Sequence, residues 1–243
     1  MTGRHYYLVT ALPPIGELGS TPPLPLEQLL EHVADAPGPR LAVRTVLLSD
    51  DLLQRQSIES GQSAPAVPVV LTVGQLRGEE PLPEYLTVPE HDPPRRVAAD
   101  AVWASYYRYA VAAAGRAGCA FLAAWVAHEV AMRNALAAAR AKALALEPAD
   151  YLVAEDLAGA DDDFNVLISQ WASAPNPLEA LRVLDRGRWN WLLEHDGWFS
   201  FGTDELAAYA AKLMLLHRWH RLEAVAAVSG QDGGDAASQR SES

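Results

Sequence analysis

The stretch from Cys119 to Leu146, CAFLAAWVAHEVAMRNALAAARAKALAL, constrains the fold of this chain more than any other. Ala and Leu dominate it, neither Gly nor Pro interrupts it, and its long unbranched side chains lose little rotamer freedom in a helix. Phe121, Trp125, Met132, Leu136, Ala143 and Leu146 recur at steps of three, four or seven and so share one face. Glu129 stands four residues before Arg133, the favourable orientation for an ion pair along one helix. Such a helix spans roughly 40 Å at ~1.5 Å per residue. It is apolar on more than one side and therefore needs other helices around it.

The remaining sequence supplies them. Val97 to Ala114 carries Val102, Trp103, Tyr106, Tyr107 and Val111, and Gly115 and Gly118 end it. With the long helix it predicts an antiparallel hairpin. Leu26 to Asp35 has helical spacing and is broken by Pro37-Gly38-Pro39. Arg40 to Leu48 reads as a second helix, and Ser49 as the cap of a short third one with Asp50 and Asp51 in its first turn. Phe164 to Ala172 and Leu178 to Glu194 follow, the latter capped by Asn176 with Pro177 at its first position. Thr203-Asp204-Glu205 opens a last helix to Val228.

Strand signals are scarce. Tyr6 to Val9 suggests a short strand or an extended arm, and Val67 to Val73 is a β-branched run, with a helical turn over Thr72 to Leu76 as its alternative. Glu79 to Pro94 is punctuated by proline and predicts a surface wrap, Asp150 to Leu157 a short helix or turn, and Gly159 to Asp163 an acidic loop. The class expected is all-α, a bundle of long antiparallel helices behind an irregular, Pro-rich N-terminal third. The expected division is an N-terminal region over 1–94, a main helical domain over 95–228 and a disordered tail over 229–243.

The formal net charge of −12 repels phosphate backbones, and no Lys/Arg run exceeds Arg95-Arg96, so nucleic acid is not an expected partner. One cysteine, Cys119, leaves no disulfide framework and no Cys-based zinc site. The most span-like segment, Ala110 to Ala127, is interrupted by Arg116 and two glycines. With no basic-then-apolar leader, a cytoplasmic protein without a direct membrane span is expected.

Familiar catalytic patterns are missing. There is no phosphate loop, no G-x-G-x-x-G after a strand and no nucleophile elbow. His128-Glu129 starts like a zincin motif, but position 132 is Met. His217, His220 and Glu223 are three apart and two of them could share a metal, yet the preferred reading is a solvated helix face of Arg218, His220, Arg221 and Glu223, with Trp219 and Leu222 turned inward. Asp161, Asp162 and Asp163 suit a helix N-terminus better than a cation. Glu129, Arg133 and Asn134 read either as an acid/base site or structurally, as a partly buried ion pair fixing helix register or the rim of a binding surface. The second is preferred because no nucleophile lies near them in sequence. Trp189 and Trp191, two apart, cannot both face inward on a straight helix, so one is a candidate for an interface.

Several phrases in this order resemble a known family: Tyr6-Tyr7-Leu8-Val9 with Leu12-Pro13, Trp125-x-x-x-Glu129-x-x-x-Arg133-Asn134, Asn176-Pro177-Leu178-Glu179, and Phe201 followed by Asp204-Glu205-Leu206-Ala207-Ala208-Tyr209-x-x-Lys212-Leu213 and Arg218-Trp219. Together they resemble a bacterial family of unknown-function domain proteins associated with V/A-type ATPases, similar to the C-type connector of the central stalk in those enzymes, which is the d-type connector in eukaryotic V-type enzymes. The resemblance covers residues 5–225, over a chain shorter than a usual connector of this type. It implies an all-helical, funnel-like, non-catalytic part at the cytoplasmic face of the inner membrane. Its implied partners are the central stalk and the membrane rotor ring, and it would serve ATP-linked proton or sodium transport. On this reading Trp125, Glu129, Arg133, Asn134, Trp189, Trp191, Arg218 and Trp219 are structural or interaction residues, and no catalytic, cofactor-binding or metal-binding residue is assigned. The alternatives are a helical protein-binding adaptor and a helical enzyme using Glu129 and Arg133.

Overall fold

The computed structural model describes residues 5–61, 66–87, 96–159, 163–197 and 199–240, with side chains on the last helix described as far as Ala224. Among these residues the secondary structure is helical, without a strand. In chain order the helices are α1 (Tyr6–Thr10), α2 (Leu26–His32), α3 (Pro37–Glu59), α4 (Val73–Arg77), α5 (Ala98–Ala117), α6 (Ala120–Ala143), α7 (Asn165–Ala172), α8 (Pro177–His195) and α9 (Thr203–Arg240). Short 3-10 turns lie at Glu84–Leu86, Pro148–Tyr151 and Glu155–Leu157.

The expected hairpin forms from α5 and α6. Gly118 takes the left-handed conformation at φ 60° that ends α5. Cys119 then caps α6, its Sγ accepting from the Leu122 N–H. The two helices run antiparallel, since Arg133 late in α6 meets Asp100 early in α5. The predicted α6 face is buried at Phe121, Trp125, Met132 and Leu136, while Ala143 and Leu146 at its far end are exposed. The helix ends at Ala143 because the Leu146 N–H turns back to the Ala141 carbonyl, with Ala145 at φ 54°.

Around this hairpin α3 packs against both α5 and α9, α9 also touches α6 and α8, and α7 rests on α8. Gly187 allows that last contact, because a Cβ there would come within 2.9 Å of Leu167. One apolar cluster joins the N-terminal region to the main helical region. It takes in Leu29, Val46 and Leu76 together with Tyr106, Leu122, Val130, Leu206 and Leu213. A small satellite of Met132, Leu136 and Leu184 is covered by Phe164, Leu167, Ile168 and Trp171.

Several expectations for the N-terminal third are corrected. The helix from Leu26 ends at His32, ahead of Pro37-Gly38-Pro39, but that triplet itself opens α3 in place of the expected start at Arg40, since proline suits a first helical turn where the N–H is unpaired anyway. Arg40–Leu48 and the following segment are one continuous helix, and the Ser49 hydroxyl donates to the Val46 carbonyl inside it. Tyr6 to Val9 is helical, not a strand or arm. Val67 to Leu71 is neither sheet nor helix; the N–H groups of Val69, Val70 and Leu71 are satisfied by the Asp51 carboxylate of α3. Thr72 caps α4 through a reciprocal bond pair with Gln75, which is the alternative helical turn.

Asn176 caps α8 as expected, accepting from the Glu179 N–H at 2.9 Å. The backbone of α9 stays helical past Val228 to Arg240, into the segment expected to be disordered. Once a helix is nucleated, each further residue needs only one more hydrogen bond. The expectations for Glu79–Pro94 beyond Thr87, for Asp161 and Asp162, and for Trp198 fall outside the described residues. No helix among the described residues is long and apolar enough to cross a membrane.

Candidate functional site

Glu129 and Arg133 do not pair with each other. The Arg188 fork reaches from α8 to grip Glu129 with two bonds, Nε to Oε1 at 2.8 Å and a terminal nitrogen to Oε2 at 3.1 Å. Arg133 instead holds Asp100 at 2.8 Å and lays its guanidinium 4.9 Å over the Trp103 ring. A two-point, partly buried Arg–carboxylate pair is stronger than an exposed i,i+4 pair of ~0.2–0.5 kcal/mol, so the cross-helix partners win.

The Glu129–Arg188 pair belongs to a longer chain of charges. Arg188 also meets Asp185 Oδ1 at 3.1 Å, and Arg218 of α9 reaches the same oxygen at 3.3 Å. Arg218 goes on to Asp50 Oδ1 of α3 at 3.2 Å, and Arg221 closes on the other oxygen of Asp50. The seam Glu129–Arg188–Asp185–Arg218–Asp50–Arg221 thus links α6, α8, α9 and α3. Asp50 and Asp185 are buried, with side chains 2% and 3% exposed.

Burial is the largest influence on Asp50 and opposes its charge, yet Arg221, Arg218 and a hydrogen bond from Gln54 outweigh it and lower its pKa. At Glu129 burial is likewise largest and is overcome, chiefly by Arg188, so its pKa is also lowered. Arg188 is buried too, but Glu129 and Asp185 raise its pKa and keep it charged. One oxygen is left over. Asp185 Oδ2 is buried and has no hydrogen-bond partner among the described residues, a deficit of about 1–3 kcal/mol for a group of this kind.

The seam walls a cavity of about 450 Å³ between α3, α5, α6, α8 and α9. Glu129, Arg133, Arg218 and Trp125, all singled out by sequence, line it. Arg221, expected on a solvated helix face, lines it instead, drawn in by Asp50, which was expected only as a first-turn acid; Asp185 and Arg188 line it as well and were not singled out. A signal for Asp50 exists, since an acidic pair between Val46-Leu47-Leu48 and Leu52-Leu53 is out of place on an apolar helix. Asp185 and Arg188 sit three apart on α8, and only the fold reveals that both face the cavity.

The other predicted residues hold elements together. The Asn134 amide pairs with both backbone groups of Val153, donating to its carbonyl at 2.9 Å and accepting its N–H at 2.8 Å. Trp189 is buried. Trp191 is half-buried in a ring stack, 4.0 Å from His195, 4.8 Å from His128 and 5.4 Å from Trp125, so burial against neighbours accounts for the residue that faces away from Trp189. Trp219 donates to Glu223 at 2.9 Å under the Arg182 guanidinium. His217 and His220 do not converge with Glu223 on a metal; their Nε2 atoms bond the carbonyls of Leu24 at 2.9 Å and Ser20 at 3.0 Å, fastening the N-terminal segment to α9. Burial pushes the Cys119 thiol up to about 12, which disfavours its thiolate.

Compared with protein-family models, with curated proteins and with solved structures, the chain matches none of them.

Proposed function

We propose that this chain is a non-catalytic connector of a V/A-type rotary ATPase, coupling the central stalk of the soluble head to the membrane rotor ring. The observation that carries the reading is what the residues behind the resemblance do. Glu129 and Arg218 belong to the seam, Arg133 ties α6 to α5, and Asn134 clamps Val153. Asp204 accepts the Phe121 N–H at 2.8 Å, Tyr209 donates to the Pro13 carbonyl at 2.9 Å, and Lys212 meets Asp196 at 2.5 Å. Each joins one element to another. A part that passes torque must be stiff, and close-packed helices locked at their crossings transmit strain.

A connector also needs a surface for its neighbours. Tyr7 and Phe199 are 85% and 73% exposed, and they sit beside Tyr6 and Phe201, whose rings are 5.0 Å apart. Phe199 and Phe201 both hold positive φ, at 62° and 48°. Exposed aromatics on a strained turn are a natural contact patch, and this feature equally favours the second reading, a helical protein-binding adaptor.

The test is capture of the tagged full chain from native membranes. Recovery of ATPase head and ring proteins, reduced by Tyr7→Ser, is expected. Recovery of neither set, from extracts in which the assembled ATPase is present, would overturn the connector.

A further inference from the structure

The cavity has two features that the seam does not use. Five arginines line it, Arg133, Arg140, Arg188, Arg218 and Arg221, against three carboxylates. Arg133 draws a fourth, Asp100, from outside. Among the described residues no carboxylate pairs with Arg140. It stands seven residues after Arg133 on the same face of α6, its guanidinium 5.0 Å from the Trp171 ring, and burial together with repulsion from Arg133 lowers its pKa. Leu53, Leu136, Leu181 and Leu222 give the rest of the lining an apolar character.

A cavity of about 450 Å³ lies within the range of small-molecule sites, ~300–1,000 Å³. The surplus of guanidinium groups suits an anion and the apolar wall a hydrocarbon body. We propose that this cavity binds a small amphipathic organic anion whose acid group lies between Arg133 and Arg140. The acid is a carboxylate or a phosphate, both of which suit paired guanidiniums. The proposal rests on the cavity alone and does not depend on the connector reading.

Isothermal titration calorimetry on the full chain tests it with three probes: 2-naphthoate, 2-naphthyl phosphate and 2-naphthol. The first is expected to bind with one-to-one stoichiometry. Loss of the acid in 2-naphthol should weaken binding about 10- to 100-fold, the range for charge-assisted bonds. Tighter binding of 2-naphthyl phosphate than of 2-naphthoate assigns the natural acid as a phosphate, and the reverse order as a carboxylate. Arg140→Gln, which breaks no carboxylate pair among the described residues, should weaken the acids about tenfold and leave 2-naphthol unchanged. Absence of heat with all three probes, equal binding of 2-naphthol and the acids, or indifference to Arg140→Gln would each overturn the proposal.

Discussion

Asp50 and Asp51 are adjacent on α3, both buried, and they titrate in opposite directions. Asp50 faces the seam, where two guanidiniums reach it. Asp51 faces the loop before α4, where Oδ2 accepts the N–H groups of Val70 and Leu71 at 2.7 Å each and Oδ1 that of Val69 at 3.0 Å. Burial raises the Asp51 pKa to about 6 despite those three bonds, and the neighbouring Asp50 charge adds to the rise. Around Asp50 burial is also the largest influence, yet the arginines reverse it. Neutral amide dipoles soften the desolvation of a carboxylate; full opposite charges overcome it. One helix turn therefore carries a permanent ion and a titrating group side by side, one joining helices and the other fastening a loop.

The comparison breaks first at Asp50. Asp50→Ala takes from Arg221 its carboxylate partner, leaves Arg218 with Asp185 alone in a partly buried seam, and should destabilise the fold by about 3–5 kcal/mol in urea unfolding at neutral pH. Asp51→Ala removes acceptors from backbone donors only, and about 1–3 kcal/mol is expected. An Asp51→Ala loss equal to or above that of Asp50→Ala would contradict the contrast. Thr72→Ala, at the cap just beyond the fastened loop, should lower stability by about 1 kcal/mol.

The pH dependence sharpens the same contrast. Asp51 has a folded pKa raised from 3.8 to about 6, so its protonated form favours the fold. Its contribution is present below about pH 4 and is lost as pH rises through about 6. Asp50 and Glu129 have lowered folded values, so theirs is present above the ordinary 3.8 and 4.5 and is lost as pH falls through the folded pKa. Asp51→Asn should flatten the decline in stability between about pH 4 and 6 and leave acid unfolding in place. An unchanged slope there would remove Asp51 as its source.

Much of the helical frame was legible because its signals are local. Apolar spacing marked α6 and α9, Gly118 marked the end of α5, and Asn176 with Pro177 marked the start of α8. Continuity through Ser49 was not legible. Val43, Thr45 and Val46 lower helix propensity locally, and only packing of α3 against α5 and α9 restores it. The site was half legible for the same reason. Glu129 and Arg133 advertise a pair with each other, but their partners Arg188 and Asp100 lie 59 and 33 positions away, and no helical period records such a choice. The Val67–Val73 run has strand propensity without a partner strand, and Asp51 takes the role a neighbouring strand would have filled.

The seam must be ionised at neutral pH to lock α3, α6, α8 and α9 together. Carbon-13 NMR titration of the side-chain carboxyls of Asp50 and Asp51 measures this directly. The account predicts that Asp51 titrates near 6 while Asp50 stays ionised below 3.8 until the protein unfolds; the two carboxyls titrating together near 4, or Asp50 above Asp51, would contradict it.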